Sequence, residues 1–139
     1  MQLSRIQMAV LFVAGLTACA IGTFIAVSPQ AFYLSYGIDL RGNFDLLSEL
    51  RAPGTNLAAL GGLMLAGLFK PALRPTAAIA SMLVFTAFAV GRVLGIILDG
   101  VPSTAIQLAL AIELTIAAAC FFAFRLTIEV QQNSPRSRA

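Results

Sequence analysis

The chain contains no histidine, no tryptophan and only two cysteines in 139 residues. Without histidine, the commonest metal ligand and the usual general base near neutral pH are both missing. Cys19 and Cys120 fall in separate apolar runs, so no spacing typical of a zinc site, a haem attachment or a dithiol pair is present. Each cysteine reads as a small apolar residue. No HxxxH pattern or acid-rich metal motif occurs, and neither a cofactor nor a metal is expected. Charge is scarce as well: 11% of residues are charged and 59% hydrophobic, where a soluble domain carries about 25% charged residues. The net charge of +3 is scattered and forms no basic stripe, which argues against nucleic acid as a partner.

What the sequence does have is long apolar runs. Four windows are long enough to cross a bilayer, about 6–28, 53–69, 76–98 and 104–124. None shows the alternation of a membrane β-strand, so the expected fold is all-α, an integral membrane four-helix bundle forming a single domain over residues 1–130. Ser28 and Pro29 close the first span and open a short turn, since proline suits a first helical position; Pro53 reads the same way at the start of the second. At about 17 residues the second span is the shortest, and 49–52 extend it as a bent or interfacial turn. The LTAC stretch ending at Cys19 resembles a lipoprotein cleavage site, but cleavage would leave about nine apolar residues of the first run where roughly 20 are needed to span. A retained helix is the expectation.

Orientation follows from the basic residues. Arg5, Lys70, Arg74, Arg125, Arg136 and Arg138 share one side of a four-crossing chain, whereas Asp39, Asp45 and Asp99, with Arg41, share the other. The positive-inside tendency then places both termini in the cytoplasm of a bacterium, N-in and C-in, with the chain in the inner membrane. Phe32, Tyr33 and Tyr36 suit an interfacial position at the outer end of the first span. The stretch FDLLSEL reads as an amphipathic turn on the membrane surface or over the outer mouth of the bundle. The tail, 131–139, is expected to be disordered and cytoplasmic.

Arg92 and Glu113 lie deep in the third and fourth spans, about 10 and 14 Å from their outer ends by helical rise. Antiparallel neighbours bring these opposite charges to comparable depth, and pairing reduces the several kcal/mol that a lone charge costs there. Snorkelling to the outer interface is the alternative for Arg92. Glu49, Arg51 and Asn56 near the second span's entrance, with Asp99 at the third span's end, complete a candidate outer-half cluster. Two roles compete for it. One is a polar clasp fixing helix order and rotation; the other is a cleft in which Arg51 and Arg92 hold a polar or anionic head group while Glu113 balances charge. Proton or ion coupling through Glu113 is a third. Small-residue faces at Gly91 and Gly95, at Ala58, Gly62 and Ala66, and at Gly15, Ala18, Cys19 and Gly22 predict close helix contacts, some of them between subunits.

ELRA at Glu49 to Ala52, GRVLG around Arg92, LDG at Leu98 to Gly100 followed by Pro102, and Glu113 together resemble a family of small bacterial four-helix integral membrane proteins known as a domain of unknown function. The resemblance covers about residues 6–125 and implies a four-helix inner-membrane fold with no assigned reaction. In that pattern the arginine matched by Arg51 leads into a Gly-Gly pair; here APGTN follows it, and Gly61-Gly62 comes about two turns later. The leading expectation is a non-catalytic membrane protein that binds a partner subunit, a second copy, or a lipid-like or small polar or anionic ligand, with membrane lipid around it. A small transporter or channel-like protein using Glu113 and Arg92 is the alternative, ahead of a metal-free membrane enzyme.

Overall fold

The computed structural model describes residues 1–133, and their side chains as far as Arg125. Its elements are α1 (Arg5–Val27), α2 (Pro29–Leu34), α3 (Phe44–Phe69), a 3-10 turn (Pro71–Leu73), α4 (Arg74–Asp99) and α5 (Thr104–Asn133). The fold is all-α, and four of these helices are long and apolar enough to cross a membrane. They form a multi-pass membrane bundle in which α3 lies between α1 and α4, and α5 between α4 and α1. Of the tail expected from residue 131, residues 131–133 belong to α5 and 134–139 lie outside the described residues.

Local chemistry sets the ends of the helices. Ser4 and Gln7 form a reciprocal capping box at the start of α1, the Gln7 N–H donating to Ser4 Oγ at 3.2 Å and the Ser4 N–H to Gln7 Oε1 at 2.9 Å. Ser28 closes α1 through its own N–H to the Phe24 carbonyl, but its side chain makes no capping bond to α2, which starts on Pro29. The second long helix starts nine residues before the proline expected to open it. Asn43 caps it, accepting from the Leu46 N–H at 3.0 Å, and Pro53 lies inside the continuous helix. The interior proline removes a single backbone donor, and packing of the helix on α1 from Gly54 onward outweighs that loss. FDLLSEL is therefore the first two turns of α3 rather than a separate surface turn.

The closest contact is between α1 and α3. A methyl group added at Gly22 would meet the Ala58 N and stand 2.7 Å from the Gly54 carbonyl oxygen; one at Gly61 would meet the Cys19 N and stand 2.8 Å from the Gly15 oxygen. The pairing of Gly22 with Gly54 and of Gly15 with Met64 makes the two helices antiparallel, with their backbones in direct contact. The expected faces are thus partly corrected: Gly15, Cys19 and Gly22 do meet α3, but they meet Gly54, Ala58 and Gly61. Gly62, Gly91 and Gly95 would each accept a methyl group with nothing inside 4 Å. Adjacent helical residues point about 100° apart, so Gly62 turns away from the seam that Gly61 occupies.

Leu11, Met64, Ala77, Cys120 and Phe124 form a fully buried core near the N-terminal end of α1. There Gln7 Nε2 ties α1 to the Ala123 carbonyl of α5 at 2.7 Å, and Arg74 Nη1 donates to the Met1 carbonyl at 3.3 Å. Phe12, Leu83, Leu94, Leu114 and Phe122 stay exposed on the bundle exterior, a surface that hydrocarbon solvates readily and water does not. Gly22→Ala and Gly61→Ala should each lower the thermal unfolding midpoint in detergent, whereas Gly62→Ala and Gly95→Ala should leave it unchanged or raise it. Equal responses at all four positions would show that the α1–α3 seam does not govern stability.

Candidate functional site

At the end of the bundle that carries α2, α1 and α3 stay in contact while space opens between α1, α4 and α5. One residue from each of α4 and α5 dominates the local electrostatics. Arg92 Nε donates to Glu113 Oε2 at 2.7 Å, with the side chains 30% and 14% exposed. The expected contact between these two spans is thus present, and Arg92 is turned inward rather than toward the end of α4. Only this one hydrogen bond joins the pair; Arg92 Nη1 and Nη2 and Glu113 Oε1 have no hydrogen-bond partner among the described residues, yet none of the three is buried. They remain accessible to a further molecule.

Both residues line a cavity of about 220 Å³ walled mainly by α1, α2, α4 and α5, with Leu57 of α3 also lining it. Ala18 and Ile25 of α1 and Val84 and Phe85 of α4 supply apolar wall, and Phe32, Tyr33 and Tyr36 lie at its α2 side. Phe32 packs against both tyrosine rings, 5.3 Å from each, and lies 5.4 Å from the Phe24 ring. The aromatic residues expected at an interface are therefore also cavity walls. Burial pushes the Tyr33 phenol above its ordinary pKa of 10.0; the positive charge of Arg92 opposes the shift and the neighbouring Tyr36 adds to it.

The rest of the expected cluster does not assemble. Arg51 Nη1 donates to the Ala26 carbonyl and, at 3.0 Å, to that of Val27, so it caps the carboxyl end of α1 instead of facing Arg92. Those carbonyls lack donors within the helix, and a cation there also favours the helix dipole. A signal for this role exists in the sequence, because α1 has no basic residue in its last turn and Pro29 offers no N–H. Glu49, Asn56 and Asp99 are exposed, and none is among the described hydrogen bonds or ion pairs. Asn56 is two helical positions from Gly54, which faces α1, and so lies on a different side of α3. The other ion pair among the described residues, Arg41 with Asp39 at 2.6 Å, is a local loop contact. The described residues contain no group of three or more His, Cys, Asp or Glu that could hold a metal ion.

A family model described as a domain of unknown function (DUF4345) matches residues 6–124. No curated protein and no solved structure matches the chain.

Removing one partner of the pair should destabilise the bundle because a charge is then left uncompensated, by less than the roughly 3–5 kcal/mol of a fully buried pair since both side chains keep some exposure. Arg92→Met and Glu113→Leu should accordingly cost less together than the sum of the two single changes, measured by equilibrium unfolding in mixed micelles. Additive losses would mean that the two groups do not interact. The raised Tyr33 value has a definite sign: its contribution to stability is complete below the ordinary 10.0 and is lost as pH rises through the higher folded value. Tyrosinate absorbance should therefore show a component titrating above that value, and that component should vanish in Tyr33→Phe.

Proposed function

The chain belongs to the family of a domain of unknown function (DUF4345), and from that premise we propose that it is a non-catalytic bacterial inner-membrane protein that holds a small polar or lipid-like ligand. Basic residues at Arg5, Lys70, Arg74 and Arg125 support placing both termini in the cytoplasm, with α2 and the Arg92–Glu113 site in the outer half. The observation that carries the reading is the pair on the cavity wall, with two guanidinium nitrogens and one carboxylate oxygen still accessible. A clasp serving structure alone would gain by completing those bonds within the protein. Among the described residues below the pair, Ser81 is the one buried polar residue, its hydroxyl donating to the Ala78 carbonyl at 2.8 Å, and the part-buried Gln7 and Arg74 are tied to backbone carbonyls at the far end. That composition favours holding a ligand over passing one through to the Lys70 side, which would need further polar groups along the route.

Extraction in native-lipid nanodiscs followed by mass spectrometry tests this directly. A small molecule should be enriched over bulk lipid with the wild-type protein. The enrichment should fall in Ala109→Phe, which fills the cavity from α5 and retains both Arg92 and Glu113. Identical co-purifying molecules in both proteins would overturn the proposal.

A further inference from the structure

The charge, depth and opening of the cavity narrow the ligand class, an inference that rests on the ligand-binding reading above. Arg92 and Glu113 neutralise each other at 2.7 Å, so the site presents donors and an acceptor side by side without net charge. An anionic head would gain from Arg92 but face Glu113, and it would have to shed its water about 10 Å below the end of α4. A cationic head meets the reverse problem. A hydroxyl can donate to Glu113 Oε1 and accept from an Arg92 nitrogen at once, at a far smaller desolvation cost.

The volume and the opening bear on the rest of the molecule. About 220 Å³ lies below the roughly 300–1,000 Å³ of pockets that enclose drug-sized ligands, so the cavity takes a polar end and the first part of a chain. Ile21 of α1 and Leu108 and Ile112 of α5 line it and are 37%, 62% and 48% exposed. These exposed walls, with Phe88 of α4 also lining the cavity at 42%, give it an apolar outer side at the depth of the hydrocarbon, along which a lipid tail can leave without crossing water. We infer that the ligand is an uncharged, membrane-borne amphiphile with a hydroxyl at its polar end. Its hydroxyl lies between Arg92 and Glu113, and its tail passes out along the apolar outer side.

The protein carries its own reporter, because it has two tyrosines and no tryptophan, and both Tyr33 and Tyr36 line the cavity. Bromine quenches tyrosine emission on contact, so three brominated compounds can be titrated into the protein in nanodiscs. They are 2-bromohexadecan-1-ol, the anion 2-bromohexadecanoate, and water-soluble 2-bromoethanol. The long-chain alcohol should quench saturably, with the anion weaker by about tenfold or more, and bromoethanol should quench only in linear, collisional fashion. In Glu113→Gln, where Arg92 is no longer neutralised, the order of alcohol and anion should reverse. Wild-type saturation that favours the anion or bromoethanol overturns the hydroxyl-lipid assignment while leaving a ligand site in place. Linear quenching by all three overturns both. The wild-type comparison decides between these outcomes even if the variant fails to fold.

Discussion

The rest of the bundle depends on the backbone contact between α1 and α3. Gly15, Gly22, Gly54 and Gly61 let the two helices approach until main chain meets main chain, the type of interface that dispersion and close fit can stabilise where lipid removes the hydrophobic drive between helices. Arg51 fastens the same pair at the α2 end by capping the last carbonyls of α1. The helix held so firmly by α3 does not close on α5 along its whole length. It meets α5 through Gln7 and Ala123 near one end, and at the other end the space between them is the cavity.

The ion pair belongs to that loosened end. In hydrocarbon a single charged group is costly, and a facing partner lowers the cost without removing the need to satisfy the remaining polar atoms. Arg92 and Glu113 meet through one hydrogen bond, and their other polar atoms stay accessible. The packed core around Met64, Cys120 and Phe124 supplies rigidity below, and α2 supplies an aromatic wall above. A neutral yet polar site inside an apolar frame is the result, suited to a molecule that is itself mostly apolar with one hydrogen-bonding end.

Legibility from sequence differed by residue for physical reasons. Arg92 and Glu113 could be paired because depth along a helix follows from counting residues, and a short turn between spans forces antiparallel neighbours. Arg51 could not be placed by depth, because its long side chain reaches a different helix from the one expected. The glycines of α4 fit the small-residue pattern as well as those of α3 do, yet Gly91 and Gly95 face open space. A pattern of small residues says that close contact is permitted, whereas the rotation of each helix about its axis decides whether it occurs.

The sequence by itself determined the four apolar helices, their antiparallel order, the absence of histidine-based chemistry and the one pair of opposite charges at matching depth. All of these depend on composition, run length and rise per residue, which are properties of the chain taken one helix at a time. Tertiary structure alone decided that α3 runs unbroken through Pro53, that Arg51 caps α1, that α1 packs on α3 through glycine, and that a cavity opens beside the pair. Those outcomes depend on how the helices rotate and lean against one another. That rotation is settled by the sum of many small contacts across the bundle, which no single helix encodes.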